Sequence, residues 1–159
     1  PNFICIVPEN RKEITTEGGL NLKKNKSNIK NIIFKFKKKK FRKRIFINPS
    51  IFDIKVAKDL NADCIEIHTG RLSNLVKLKK NYSSELNKII RCSKFAKRLG
   101  LEVHAGHGLD YKTTKLLSKI KQIKEFNIGH YIIGESIFHG LKTVIKNLKK
   151  SIKKKIKKI

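Results

Sequence analysis

The chain has 159 residues, 39% of them hydrophobic, and a formal charge of +27, which suits one domain with a sizeable core or a piece of one. No apolar stretch approaches the roughly 20 residues of a membrane span, and no N-terminal segment has the build of a secretion signal, so a cytoplasmic protein is expected. The charge alone would suggest a nucleic-acid or anionic-membrane partner, yet the lysines run from Lys12 to Lys158 with little aromatic interleaving, a pattern of solvated positions rather than of base stacking.

In chain order, five short apolar runs rich in β-branched residues predict strands: FICIV (3–7), RIFIN (44–48), CIEIH (64–68), LEVHA (101–105) and FNIGH (126–130). Each leads into a polar or glycine turn and then a stretch of helical periodicity. After RIFIN, Ser50 with Asp53 three residues on gives a capping-box-like start, and Val56, Ala57 and Leu60 carry a helical face to a turn at Asn61. After CIEIH, TGRLSN predicts a loop, followed by a helix over about 83–99 that bears Leu86, Ile89, Ile90, Phe95 and Ala96 and ends at Gly100. After the fourth run, Asp110 caps a helix bearing Leu116, Leu117 and Ile120. The last helix is expected over 141–159, basic and amphipathic, with Leu141, Val144, Leu148, Ile152 and Ile156 on one face.

Strand and helix in strict alternation imply a parallel sheet, either doubly wound or a (β/α)₈ barrel. In both architectures functional residues sit just past the strand ends. The unusual residues fall there: Glu66 and His68, His104 and His107, Gly129 and His130. The glycines of GHG (106–108) and of Gly129–His130 would let backbone N–H groups approach an anion with no Cβ in the way. The three cysteines, Cys5, Cys64 and Cys92, are odd in number and set among apolar residues, as reduced core thiols are. Two denser basic runs, KFKKKKFRKR (35–44) and KKSIKKKIKKI (149–159), keep nucleic-acid binding as the rival function class.

Four segments, PNFICIVPENRKEITTEGGLNL (1–22), IEIHTGR (65–71), LGLEVHAGHGL (99–109) and EFNIGHYIIG (125–134), together resemble the pyridoxine 5′-phosphate synthase family, the ring-closing enzymes of vitamin B6 synthesis. The motifs stand in family order from Pro1 to about Lys149. The resemblance implies a (β/α)₈ TIM barrel of which these are the fourth through eighth strands. It further implies condensation of 1-deoxy-D-xylulose 5-phosphate with 3-amino-2-oxopropyl phosphate to pyridoxine 5′-phosphate, phosphate and water, with no cofactor and no metal, in a protein that forms symmetric homo-oligomers when complete. By position in the motifs, Glu66 resembles the family's acid/base carboxylate and His107 its proton-shuttling histidine. Thr15 resembles a substrate contact, and Gly108, Gly129 and His130 resemble the phosphate and substrate cradle. The chain departs from the family pattern at Glu135, where an arginine is usual. Nothing in it matches the family's first three strands, and a barrel of this class takes roughly 250 residues. The chain also opens at Pro1 without a methionine. The expectation is therefore the C-terminal part of a barrel, inactive alone, with a non-catalytic remnant or a basic nucleic-acid binder as alternatives.

Each candidate also has a plainer reading. Glu66 lies in an apolar strand, where an unpaired carboxylate is costly, so it is paired or catalytic, and the catalytic reading is preferred. His68 shares its face by period two and is expected to support it through a hydrogen bond. His104 and His107 lack the one-turn spacing of a metalloprotease zinc pair. Thr15 and Thr16 could equally satisfy a turn, Gly129 could be only a turn residue, and His139 reads as structural.

Overall fold

The computed structural model describes residues 1–8, 18–36 and 41–152. Among these residues the chain forms β1 (Phe3–Ile6), α1 (Leu22–Lys35), β2 (Arg42–Ile47), α2 (Ile51–Asp59), β3 (Cys64–His68) and α3 (Gly70–Lys77). It continues through α4 (Ser83–Arg98), β4 (Glu102–Gly106), α5 (Tyr111–Leu117), β5 (Ile123–Asn127), α6 (His130–His139) and α7 (Leu141–Ile152). No helix among them is long and apolar enough to cross a membrane.

All five strands lie in one parallel sheet in the order β1-β2-β3-β4-β5. A doubly wound sheet reverses its order at a switch point, whereas this one advances by one neighbour at every step, as the wall of a (β/α)₈ barrel does. The alternation of side chains along each strand then produces two unlike faces. On one face Ile45, Ile47, Ile65, Ile67, Val103 and Ala105 are wholly buried in a continuous core with helix residues such as Ile54, Leu72 and Ile89. Each of the isoleucine and valine side chains stabilises the fold by roughly 1.5–3 kcal/mol relative to exposure. The other face carries Arg42 and Arg44 of β2, Glu66 and His68 of β3, His104 of β4 and Glu125 and Asn127 of β5. In a barrel this is the interior face.

Helix ends follow the local sequence. The Ser50 hydroxyl accepts from Asp53 N at 3.2 Å, and Asp110 makes a reciprocal capping box with Thr113 at the start of α5. At the other ends, Asn61 and Gly100 take positive φ (57° and 76°), and the next residues' amides reach back to Ala57 O at 3.1 Å and Ala96 O at 3.0 Å. Both are Schellman stops, which is why α2 and α4 end where Asn and Gly predict.

Several boundaries differ from expectation, each for a physical reason. TGRLSN is not a loop: α3 begins at Gly70, because Leu72 is wholly buried and Val76, one turn on, packs against the same core, which outweighs the turn-forming Thr, Ser and Asn. β5 lies three residues before FNIGH. Lys124 and Glu125 interrupt its apolar run, but Glu125 and Asn127 pair in register with His104 and Gly106 and find partners on the interior face. Gly129 and His130 therefore stand after the strand, with His130 opening α6. β2 begins at Arg42, two residues early, for the same reason. Ile120 is buried just beyond α5 rather than within it. Cys5 is exposed, while Cys64 and Cys92 are buried, and all three thiols are free. In α7, Val144 and Leu148 are buried but Leu141 is 55% exposed, and residues 153–159 of the expected helix lie outside the described residues.

Candidate active site

Glu66 sits in the middle of β3, only 8% exposed, between its register partners Phe46 and His104. A buried carboxylate needs compensation, and it comes from the adjacent strand β2 and from β5 on the far side of β4. Arg44 Nη1 donates to Glu66 Oε2 at 3.2 Å, and Asn127 Nδ2 donates to the same oxygen at 2.8 Å. Arg44 Nη2 reaches Glu125 Oε1 at 2.6 Å. Burial holds the Glu66 carboxyl above its ordinary range, against the opposing pull of Arg44; a shift in this direction makes the carboxyl a readier proton carrier than an exposed one. Gly106 faces the other oxygen, and a Cβ there would overlap Glu66 Oε1. The glycine at the end of β4 thus leaves the carboxylate its space.

His107 occupies the loop after β4 with φ 76°, and Gly108 follows at φ 70°. A left-handed histidine is uncommon and is held by its surroundings. Thr69, 1% exposed, shares its single hydroxyl proton between Gly106 O at 2.9 Å and His107 O at 2.7 Å, tying the two strand-end loops together. The His107 ring stacks on His68 with centroids 4.5 Å apart, and His68 in turn meets Phe46 edge-on at 5.5 Å. A Cβ on Gly70 would come within 2.7 Å of His107 Cδ2 and 2.8 Å of His68 Cε1, so the first residue of α3 must be small for both rings to fit. The support His68 gives is therefore stacking, not the expected hydrogen bond: its Nε2 is buried without a hydrogen-bond partner among the described residues.

Burial, and secondarily the neighbouring His107, push the His68 imidazole down from 6.5 to about 4. The folded chain refuses a proton that the unfolded chain accepts, so this residue makes stability fall as pH drops from 6.5 towards about 4 and level off below it. His68→Phe keeps a ring between Phe46 and His107 without the titration. Urea midpoints measured across that interval should show a shallower acid slope in the variant, and an unchanged slope would contradict the buried neutral imidazole.

Glu66, His107, Gly108, Gly129 and His130 all line one cavity of about 780 Å³ at the C-terminal ends of β3, β4 and β5. Thr15 lies outside the described residues. His104 has different company. It is wholly buried on the interior face, with Nε2 2.8 Å from Glu102 Oε1 and Nδ1 3.7 Å from Glu125 Oε1, and its ring meets the edge of Phe3. His139 is exposed on α6, 3.8 Å from Glu135. Sequence reasoning missed Arg44, Asn127 and Thr69. Thr69 and Asn127 sit at strand ends, a signal that could have found them, whereas Arg44 was hidden in a run of lysines.

A sequentially wound parallel α/β sheet with acid/base and glycine groups gathered on one cavity at its C-terminal edge defines a barrel-type α/β protein with a small-molecule site. Residues 1–154 match the family described as pyridoxal phosphate biosynthesis protein PdxJ. Three relatives named pyridoxine 5′-phosphate synthase agree. That of Pelagibacter ubique is 66% identical over 91% of this chain and 61% of its own length. That of Zymomonas mobilis is 43% identical over 94% and 57%, and that of a Sulfurihydrogenibium species 42% over 96% and 62%. The chain belongs to the PdxJ family of vitamin B6 biosynthesis, and it spans about three fifths of the length of these relatives.

Proposed function

We propose that this chain is the C-terminal part, strands four through eight, of a pyridoxine 5′-phosphate synthase barrel. The reaction joins 1-deoxy-D-xylulose 5-phosphate and 3-amino-2-oxopropyl phosphate into pyridoxine 5′-phosphate with loss of phosphate and water, by acid/base catalysis without a cofactor. The observation that carries this reading is the convergence of Glu66, His107 and the Gly108 and Gly129–His130 loops on one cavity, in a chain 66% identical to a protein of that name. Imine formation, dehydration and phosphate elimination each move protons. Glu66, with its raised carboxyl, takes and returns them at the reacting carbons, and His107 carries them at the loop. The backbone of Gly108, Gly129 and His130 holds a phosphate at the start of the ten-residue helix α6. Thr15 contacts substrate. The remaining groups come from strands outside this chain, in a homo-oligomeric cytoplasmic enzyme.

Amide NMR of the ¹⁵N-labelled chain titrated with 1-deoxy-D-xylulose 5-phosphate tests the cradle. Saturable shifts at Gly108, Gly129 and His130 that persist in moderate salt are expected. Shifts confined to surface lysines and abolished by salt, as non-specific phosphate contacts are, would favour the basic nucleic-acid reading instead.

A further inference from the structure

The basic run at 35–44 reads as surface charge, yet it ends inside the protein. Arg44, 8% exposed, points from β2 across the interior face, where Nη1 meets Glu66 Oε2 at 3.2 Å and Nη2 meets Glu125 Oε1 at 2.6 Å. Its guanidinium lies 5.1 Å from the centre of the Phe3 ring, so it is held from a third strand as well. Building on the acid/base role given to Glu66 above, we propose that Arg44 is the positioning residue of the site. Together with Asn127 it clamps the Oε2 edge of Glu66 and so fixes the carboxylate with Oε1 over Gly106, at the cavity.

Three features support a positioning role over simple charge neutralisation. Arg44 approaches the one oxygen from β2 on one side of β3 and Asn127 from β5, past β4, on the other, which sets the plane of the carboxylate as well as its charge. The second carboxylate, Glu125, engages the other arm of the same guanidinium, so the fork is locked in rotation, which a lysine point charge cannot reproduce. Gly106 removes the one side chain that would occupy the place of Oε1. Among the described residues the groups that face Glu66 are few: Arg44 from β2, Cys5 from β1, Gly106 and beyond it His104 from β4, Glu125 and Asn127 from β5, and His68 on its own strand. Arg44 is the only cation among them whose charge does not depend on pH. Its loss leaves Glu66 beside Glu125 with no counter-charge among the described residues, and, on top of the burial that raises the carboxyl most, Arg44 pulls its titration down and Glu125 pushes it up.

That balance gives opposite signs for two substitutions. In Arg44→Gln the Glu66 carboxyl should titrate about one pH unit or more higher than in the parent. In Glu125→Gln, which leaves the guanidinium to Glu66 alone, it should titrate lower. Carboxyl ¹³C NMR of the 159-residue chain reads both without any substrate, so the result does not depend on the proposed reaction. In a complete barrel assayed for ring formation, Arg44→Gln should lower kcat about tenfold or more with KM little changed, and should move the acid limb of the kcat profile upward. Arg44→Lys should restore the position of that limb but only part of kcat, because charge returns without the fork. If Arg44→Gln does not fold, Arg44→Lys and Glu125→Gln decide the matter by the same two readouts. Unmoved Glu66 titration in Glu125→Gln, or full kcat in Arg44→Lys, overturns the positioning role. Shifted titration with undiminished turnover in Glu66→Gln would leave the clamp standing and remove the acid/base role it serves.

Discussion

Glu66→Gln and His107→Asn, each introduced into a complete barrel, should lower turnover by about 10²-fold or more, the scale for losing a positioned acid or base. Glu66→Gln keeps size and a hydrogen-bonding end, so its loss would report chemistry rather than a hole; His107→Asn keeps a hydrogen-bonding end but gives up the stack on His68. The Glu66 case is the sharper. Its carboxylate is compensated by Arg44 and Asn127, is raised by burial and opens on the cavity. An amide occupies the same space but neither takes nor gives the proton. The substitution also leaves Arg44 with Glu125 alone, so some loss of stability should accompany the loss of rate, and a melting curve separates the two. For His107 the backbone itself is strained at φ 76°. Asparagine tolerates that region better than most residues, which makes it the replacement that tests the imidazole rather than the loop. Near-normal product formation in both variants would remove Glu66 and His107 from the mechanism.

Much of this site was legible because its residues break a pattern. A glutamate within CIEIH and a histidine between two glycines are conspicuous in an otherwise apolar-then-turn rhythm, and both fall on the cavity. The strand-helix alternation was equally plain, down to the stops at Asn61 and Gly100, since positive φ is chemically demanding and few residues meet it. Arg44 was not legible. Nothing in KFKKKKFRKR distinguishes a buried arginine from solvated lysines; only pairing across the sheet, 22 residues to Glu66 and 81 to Glu125, marks it. The position of β5 failed for a related reason: its polar residues are satisfied by other strands, and hydrophobic periodicity does not register a satisfied charge. α3 was hidden by turn-forming residues whose helix is decided by Leu72 and by the room Gly70 leaves for two imidazoles.

The most direct test supplies the strands that the proposed barrel places before this chain. β1 and β5 each pair on one side only among the described residues, and a barrel wall closes by pairing its first and last strands. An unclosed wall leaves catalytic groups loosely placed, and displacement of about 1 Å can cost 10²-fold in rate. The measurement is formation of pyridoxine 5′-phosphate from its two phosphorylated substrates, first by this chain alone and then by the chain mixed with the N-terminal strands of the Pelagibacter ubique relative, excess chelator being present throughout. No product from the chain alone, and product once the strands are supplied, is the expected result. Full activity of the isolated chain, or none with the strands bound and the barrel closed, would contradict the assignment of this site to the C-terminal part of that barrel.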